Sequence, residues 1–341
     1  MERKSRQYSD LGVTYFQRHT YRISAYTANY ESPLSDTVSI IPGPSVVWIT
    51  DAYNYRLIKL SYDCTHEISS ISANGYPWAI AWNQINQSLW YTDLLLGHVY
   101  TYGMSNLQYY NSHSLIWDPV SIGLDETRNV AWIADANGKI IQIRPDLPSP
   151  VQEIESSFIE QPESIAIDNR RHYCWIADPG TRHVIKLITT DLTLIPSSAT
   201  FQKPNAVAVN TTNGQCWVAD SSRVIALSSR GDSIAVIYDS YNDALNIAIN
   251  NVTGDIWVID RLAADGSARL LRYDFAGNHQ VEVSGLLKPT GIVVDESTND
   301  CLITDSWNQR VLRISQSGNI LFSNSKNLYF PAGIAIIYND N

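Results

Sequence analysis

The sequence predicts an all-β fold, a seven-bladed β-propeller of four-stranded blades, from three observations. A Trp-x-x-Asp motif recurs along the chain, a second aliphatic motif recurs in phase with it, and one repeat is split between the two ends. The first motif reads Trp48-Ile-Thr-Asp51, Trp90-Tyr-Thr-Asp93, Trp132-Ile-Ala-Asp135, Trp175-Ile-Ala-Asp178, Trp217-Val-Ala-Asp220 and Trp257-Val-Ile-Asp260. A seventh copy, Leu302-Ile-Thr-Asp305, has lost its tryptophan. The aspartates are 42, 42, 43, 42, 40 and 45 residues apart. A fixed period of this length marks an array of one supersecondary unit.

The second motif is Pro, two residues, then an aliphatic–small–aliphatic triplet and an Asp or Asn. Pro119-Val-Ser-Ile122-Gly-Leu-Asp125, Pro162-Glu-Ser-Ile165-Ala-Ile-Asp168 and Pro289-Thr-Gly-Ile292-Val-Val-Asp295 are examples. From the first aliphatic residue of each copy (Ile80, Ile122, Ile165, Val207, Ile247, Ile292) to its motif aspartate is always 13 residues. A constant spacing inside a variable repeat identifies one rigid hairpin per unit and assigns the length variation to loops. The hairpin turns carry suitable residues, such as Asn86-Gln-Ser, Asn213-Gly and Thr298-Asn-Asp. A third strand follows each aspartate, as in Arg56-Leu-Ile-Lys-Leu60, His183-Val-Ile-Lys-Leu187 and Arg310-Val-Leu-Arg-Ile314. A more polar fourth strand ends the unit, as in Val151-Gln-Glu-Ile-Glu155 or Asn319-Ile-Leu-Phe-Ser323. Four strands in about 42 residues make one propeller blade.

The first repeat begins at Val46 with its second strand, whereas the chain ends on Pro331-Ala-Gly-Ile334-Ala-Ile336 with no second strand after it. Joined, the halves complete a blade, so the C-terminal strand is expected to close the ring and remove the radial edges that invite aggregation. The propeller is assigned to residues 43–341 and a different segment to residues 1–42.

Composition narrows the function classes. The formal net charge is -10, which does not suit the basic face a nucleic-acid partner needs. There is no run of 18 apolar residues, so no membrane span is expected, and Met1-Glu2-Arg3-Lys4 has no apolar stretch behind it to read as a signal peptide.

The strand Ile/Val-Ala-Ile/Val-Asp, followed by Trp-Ile/Val-Ala-Asp and then Arg or His, resembles the NHL repeat. It is also similar to the Tyr-Trp-Thr-Asp repeats of lipoprotein-receptor propellers, which Trp90-Tyr-Thr-Asp93 approaches most. NHL propellers more often carry six blades, and the seventh copy departs from that pattern. The resemblance covers about 295 residues and specifies fold better than function. Ahead of it, Tyr21-Arg-Ile-Ser-Ala-Tyr26 and Glu31-Ser-Pro-Leu-Ser-Asp36-Thr-Val-Ser-Ile40 resemble the last two strands of a fibronectin type III domain, with Tyr21 at that family's corner tyrosine. Such a domain needs roughly 100 residues, so residues 1–42 are expected to be a partial copy, loose or propped on the propeller. This resemblance implies a modular extracellular or cell-surface protein, with the propeller monomeric within a longer chain.

Most conspicuous residues are expected to serve the fold. One acid in every blade (Asp51, Asp93, Asp135, Asp178, Asp220, Asp260, Asp305) suits a structural role. Their expected donors are backbone N–H groups or the basic residue opening the next strand: Arg56, His98, Lys139, His183, Arg223, Arg269 or Arg310. The six motif tryptophans, out of 10 in the chain, are expected between blades. Cys174, Cys216 and Cys301 share the position before the Trp slot, filled elsewhere by Val47, Leu89, Ala131 and Ile256, so cysteine acts there as a small apolar residue. Sheets about 10 Å apart lie beyond disulfide reach, and Cys64 has no partner. No metal-type cysteine spacing, phosphate loop or nucleophile elbow occurs, and no cofactor is expected. Some NHL-type lyases hold a channel metal with several histidines, but only His98 and His183 open third strands here. Three sequons, at Asn86, Asn210 and Asn251, fall on turns of the bottom face.

What varies is the top face, at the aspartate end of the hairpins. The residues entering the inner strands are Trp78, Val120, Glu163, Asn205, Asn246, Thr290 and Ala332, and the loops after the aspartates offer Tyr53 and Tyr55, Leu94-Leu-Leu96, Arg182, Arg261 and Trp307. Variation against a regular repeat points to binding, with exposed aromatics as anchors. The expected function is a non-enzymatic module binding a protein, peptide or carbohydrate through Trp78, Glu163, Asn205, Asn246, Tyr53, Arg182, Arg261 and Trp307. The alternative is a metal-assisted lyase or hydrolase acting in the central channel.

Overall fold

The computed structural model describes residues 12, 14, 15, 17–27, 30–103, 108–113, 116–144 and 151–338. Seven four-stranded antiparallel sheets follow one another as blades. Blade 1 is built from Pro331–Tyr338 as inner strand, then Ser45–Asp51, Arg56–Leu60 and Glu67–Ser72, so the C-terminal strand closes the ring as expected. Blades 2 to 7 have inner strands Pro77–Asn83, Pro119–Asp125, Ser164–Asp168, Pro204–Asn210, Ala244–Ile249 and Pro289–Asp295.

The register explains why the two motifs keep a fixed spacing. The small residue of each inner strand lies beside the motif tryptophan: Ala81 with Trp90, Gly123 with Trp132, Ala166 with Trp175, Ala208 with Trp217, Ala248 with Trp257 and Ala335 with Trp48. In blade 7 both partners change together, Val293 against Leu302. Volume is conserved across the pair, as a close-packed interior requires. The small residue also sets how near the next blade comes. A Cβ on Gly123 would stand 2.7 Å from the Ile167 side chain.

The core lies between blades rather than at one centre. Each motif tryptophan packs into the following sheet, so that Trp132 meets Cys174 and Ile176, and Trp175 meets Cys216 and Val218. The cysteine slot is therefore the socket for the preceding blade's indole, and all four cysteines are buried free thiols. Second strands buried on both faces read as continuous apolar runs; all seven residues of Ser45–Asp51 are buried. Burying one indole removes enough area to contribute about 4–6 kcal/mol before the entropy of ordering it.

The aspartates latch each blade at its top. Asp135 accepts from the N–H groups of Trp117 and Asp118, Asp220 from Gln202 and Lys203, and Asp51 from Tyr329 and Phe330, all in loops entering the same blade's inner strand. The expected basic partner is only half right. Arg56, Arg223, Arg269 and Arg310 reach their aspartates, but Lys139 turns to Glu153 and Glu155, His98 to the Tyr100 hydroxyl, and His183 to the Thr181 carbonyl. Imidazoles are too short for a span that a guanidinium covers. Blade 2 departs furthest. Asp93 accepts from Leu95 and Leu96 with one oxygen, and its buried Oδ2 has no partner among the described residues.

Two further details differ from the expectation. The outer strand of blade 7 is Ile320–Asn324, one residue later than its pattern suggests, and that of blade 5, Ser233–Ile237, is mostly apolar rather than polar, with its first three residues exposed and Ile237 buried. On the bottom face Asn210 is only 4% exposed, its side-chain oxygen held by the Thr212 and Asn213 N–H groups, so its sequon is closed.

The seam between blades 7 and 1 holds a feature that strand patterns hide. Arg313, paired in register with Leu302 where other blades have tryptophan, is 0% exposed. Its guanidinium bonds Asp295 at 3.0 Å and Asp300 at 3.2 Å, donates to the Ser45 hydroxyl across the seam, and lies 3.9 Å from the Tyr62 ring centroid. The smaller leucine makes room for the charge. Burial pushes the Asp295 carboxyl up, but the Ser297 and Ser45 hydroxyls and Arg313 hold it below its ordinary value. Burial raises the Tyr62 hydroxyl to about 12 and the adjacent Cys64 thiol to about 11.

Before the propeller, His19–Tyr21 pairs antiparallel with Val38–Ile40, and Tyr26–Thr27 with Tyr30–Glu31. This hairpin leaves Ile23, Leu34 and Val38 exposed. It joins blade 1 where the Ile41 N–H donates to Asp63 and Gly43 packs on the Tyr62 ring.

Candidate functional site

At the top face the seven inner strands converge on the mouth of the central channel. Because neighbouring blades splay, their inner strands do not share a backbone ladder, and side chains bridge them instead. The Thr50 hydroxyl donates to the Trp78 carbonyl, the Ile165 N–H to Ser121, the Val207 N–H to Ser164, and Thr304 to the Ala332 carbonyl. The Asn205 amide donates to Ala244 at 2.7 Å and Asp243 at 3.1 Å, and Asn246 to the Thr290 carbonyl at 2.9 Å. Two residues read from sequence as ligand contacts thus spend their amide donors on holding blades 5, 6 and 7 together.

All seven variable positions, Trp78, Val120, Glu163, Asn205, Asn246, Thr290 and Ala332, line one cavity of about 420 Å³ at the channel mouth. Trp78 is half-buried rather than an exposed anchor. It lies nearly parallel to Phe330 at 6.1 Å, beside Ala52 and Ala332. Glu163 is the charged member of the ring. Burial and the Asp118 carboxylate push its pKa up, against an opposing pull from Lys203, and Gln161 donates to it at 3.2 Å.

A second cavity of about 530 Å³ opens beside the first, between blades 4 and 5, and shares Glu163, Asn205 and Leu245 with it. Here Arg182 joins the predicted set, together with Lys203, Gln161 and Gln202. The remaining predicted residues stand apart from both cavities. Tyr53 belongs to an aromatic patch with Tyr76, Tyr329 and Phe330, at 4.7–5.6 Å between ring centroids. Arg261 is tied to Asp243. Trp307 is 49% exposed, with the Lys288 ammonium 4.7 Å above its ring, a cation–π contact.

Sequence reading missed Lys203, Gln161 and Phe330. The signal was in the column on the other side of the motif proline from the one chosen. The residues preceding the inner strands, Tyr76, Asp118, Gln161, Lys203, Asp243, Lys288 and Phe330, vary as strongly and carry more charge. Outside blade 2 they lie in the segments whose N–H groups cap the motif aspartates, which leaves their side chains to make other contacts at the rim.

Among the described residues no three His, Cys, Asp or Glu side chains converge as a metal site. No helix among the described residues is long and apolar enough to cross a membrane.

No protein-family model matches the chain, and no curated protein matches its sequence. Solved structures do resemble it. A functionally unknown protein from Desulfotomaculum acetoxidans superposes with a TM-score of 0.71 at 12% identity, over 86% of this chain and 99% of that one. A chain of a nidogen/laminin complex gives 0.56 at 10% identity over 86% and 98%. A streptogramin B lyase gives 0.62 at 14% identity over 76% and 86%. At these identities the likeness establishes the propeller fold and nothing narrower.

Proposed function

We propose that this chain is a non-enzymatic binding module that takes a protein or peptide on the top face of its propeller, as part of a modular extracellular or cell-surface protein. The observation that carries the reading is the channel rim. Seven repeats that agree along their hairpins present six different residue types at seven positions around one cavity, Trp78 and Glu163 among them. A concave site with a few polar groups on an apolar wall is the usual form of a binding site. The extracellular placement rests on the hairpin before the propeller, whose exposed Ile23, Leu34 and Val38 suit a face that packs on a second sheet.

The test is to pan a random phage-displayed peptide library on the purified chain. Each enriched peptide is then measured against the wild type and against Trp78→Ala, Glu163→Ala and Trp307→Ala. At least a tenfold loss of affinity is expected in one or more variants. Peptides that bind the triple variant as well as the wild type would remove the top-face assignment.

The second reading, a metal-assisted lyase or hydrolase acting in the channel, is supported by the fold likeness to a streptogramin B lyase. Elemental analysis of the purified chain decides it: a stoichiometric zinc or calcium ion would favour the enzyme.

A further inference from the structure

We propose that the cleft between blades 4 and 5 is a carboxylate-binding subsite, receiving an acidic group of an extended peptide between Arg182 and Lys203. This rests on the top-face reading above and names the chemistry of one part of it.

The first support is how blade 4 uses its arginine. In blades 1, 6 and 7 an arginine opens the third strand and pairs with the motif aspartate. In blade 4 the strand opens with His183, and Asp178 is satisfied by the N–H groups of Glu160, Gln161 and Thr181. The arginine stands one position earlier, in the turn, where Arg182 adopts a left-handed φ of 58° and lines the cleft instead. Its side chain has no hydrogen-bond or ion-pair partner among the described residues. Lys203, across the cleft, has none either. By contrast Arg223 and Arg261 of the neighbouring blades 5 and 6 are each tied to an aspartate.

The second support is the balance of charge and hydrogen bonding in the cleft. Arg182 and Lys203 are the cations of the cleft lining and Glu163 is its carboxylate, which already accepts from Gln161 and has its pKa raised by burial and by the nearby Asp118 and Asp178 carboxylates. Among the described residues neither cation is closed in an ion pair, so both are open to an incoming anion. A planar guanidinium beside an ammonium suits a carboxylate, because the arginine fork bonds both oxygens while the lysine adds a point charge. The amide nitrogen of Gln202 and the amide oxygen of Gln161 carry no bond among the described residues, which gives one donor and one acceptor. These are the complements of a peptide C=O and N–H. Pro179 and Leu245 supply an apolar wall, and the volume of about 530 Å³ lies within the range of small-ligand sites. The chain's net charge of -10 gives no long-range attraction for an acidic ligand. The site therefore suits a single carboxylate held by contact, not a long acidic run.

The carboxylate could be an Asp or Glu side chain or a peptide's own C-terminus. The experiment uses the peptides selected from the random library, synthesised in four forms: with the acidic residue or its amide counterpart, each with a free or an amidated C-terminus. Affinities are measured by fluorescence polarisation on the wild type, Arg182→Gln, Lys203→Gln and Trp78→Ala. Arg182→Gln is expected to melt as the wild type does, whereas Lys203→Gln loses its pull on Glu163 and is expected to melt slightly lower at pH 7. The expected result is an acidic residue or free C-terminus common to the selected peptides. Its neutral form should lose tenfold or more in affinity, and that loss should shrink on Arg182→Gln and Lys203→Gln. If peptides depend on Trp78 but bind Arg182→Gln and Lys203→Gln unchanged, the carboxylate subsite is wrong and the top-face reading stands. If neutral and acidic forms bind alike, the subsite is likewise wrong. If no peptide is enriched, or enriched peptides ignore these three residues and Glu163 and Trp307 as well, both fall.

Discussion

Arg313, within the third strand of blade 7, and Arg182, in the turn that opens the third strand of blade 4, have opposite fates. Arg313 is sealed at the bottom of the closing seam, bonded to Asp295, Asp300 and Ser45 and covered by Tyr62. Arg182 stands in a top-face turn with nothing among the described residues to pair with. The difference shows how a repeat protein separates stability from recognition. A charge inside the array must be matched by the fold itself, because burying it alone costs far more than the pair regains. A charge left unmatched can persist only at the rim, where solvent or a ligand completes it.

The largest effect should come from breaking the matched cluster. Arg313→Ala leaves Asp295 and Asp300 buried without their cation and should cost about 3–5 kcal/mol in chemical denaturation. Replacing the cluster together, Arg313→Met with Asp295→Asn and Asp300→Asn, should recover most of that loss. The seam should also respond to acid. Since Asp295 is held below its ordinary value, its contribution is present above the unfolded carboxyl value near pH 4 and is lost as pH falls through the lower folded value. Arg182→Gln should leave stability unchanged. If both single variants behave alike, the contrast between the two regions fails.

The bridging amides on the rim should have an intermediate effect. Asn205→Ala removes donors to Ala244 and Asp243 and should cost about 1–3 kcal/mol by leaving a shielded carbonyl unpaired. Val120→Ala, at the same rim position without such a bond, should cost less. Equal losses would mean that Asn205 does not bridge blades 5 and 6.

The fold was legible because its information is periodic. Trp48 to Asp51 and its copies, together with the constant 13-residue spacing, reveal a hairpin whose register places each tryptophan beside a small residue. The site was legible only as a place. Sequence located the rim ring and Arg182, but could not show that Asn205 and Asn246 spend their amides between blades, nor that Lys203 faces Glu163 across a cleft. Those facts depend on which side chain crosses from one blade to the next, and the repeat period carries no trace of that. Arg313 was hidden for a related reason. In Arg310-Val-Leu-Arg-Ile314 it looks like a solvated position of an amphipathic strand, and only the loss of tryptophan at Leu302 hinted at space for it.

The smallest effect, and the most specific to the rim, is expected at Glu163. Burial and Asp118 raise its folded pKa above the unfolded value, with Lys203 opposing. Over the window just above the unfolded value near 4.3, the folded chain therefore holds a proton that the unfolded chain has lost. Stability falls as pH rises through that window and stays lower above it, because ionising Glu163 is harder in the folded state. Glu163→Gln removes this loss. Its melting temperature should exceed that of the wild type at pH 7, and the gain should vanish below about pH 4, where both side chains are neutral. Thermal melts in steps from pH 4 to 8 measure it. A gain independent of pH would assign the effect to packing. A loss at pH 7 would mean that Lys203 outweighs Asp118 and burial, leaving less cationic charge in the cleft for a ligand carboxylate.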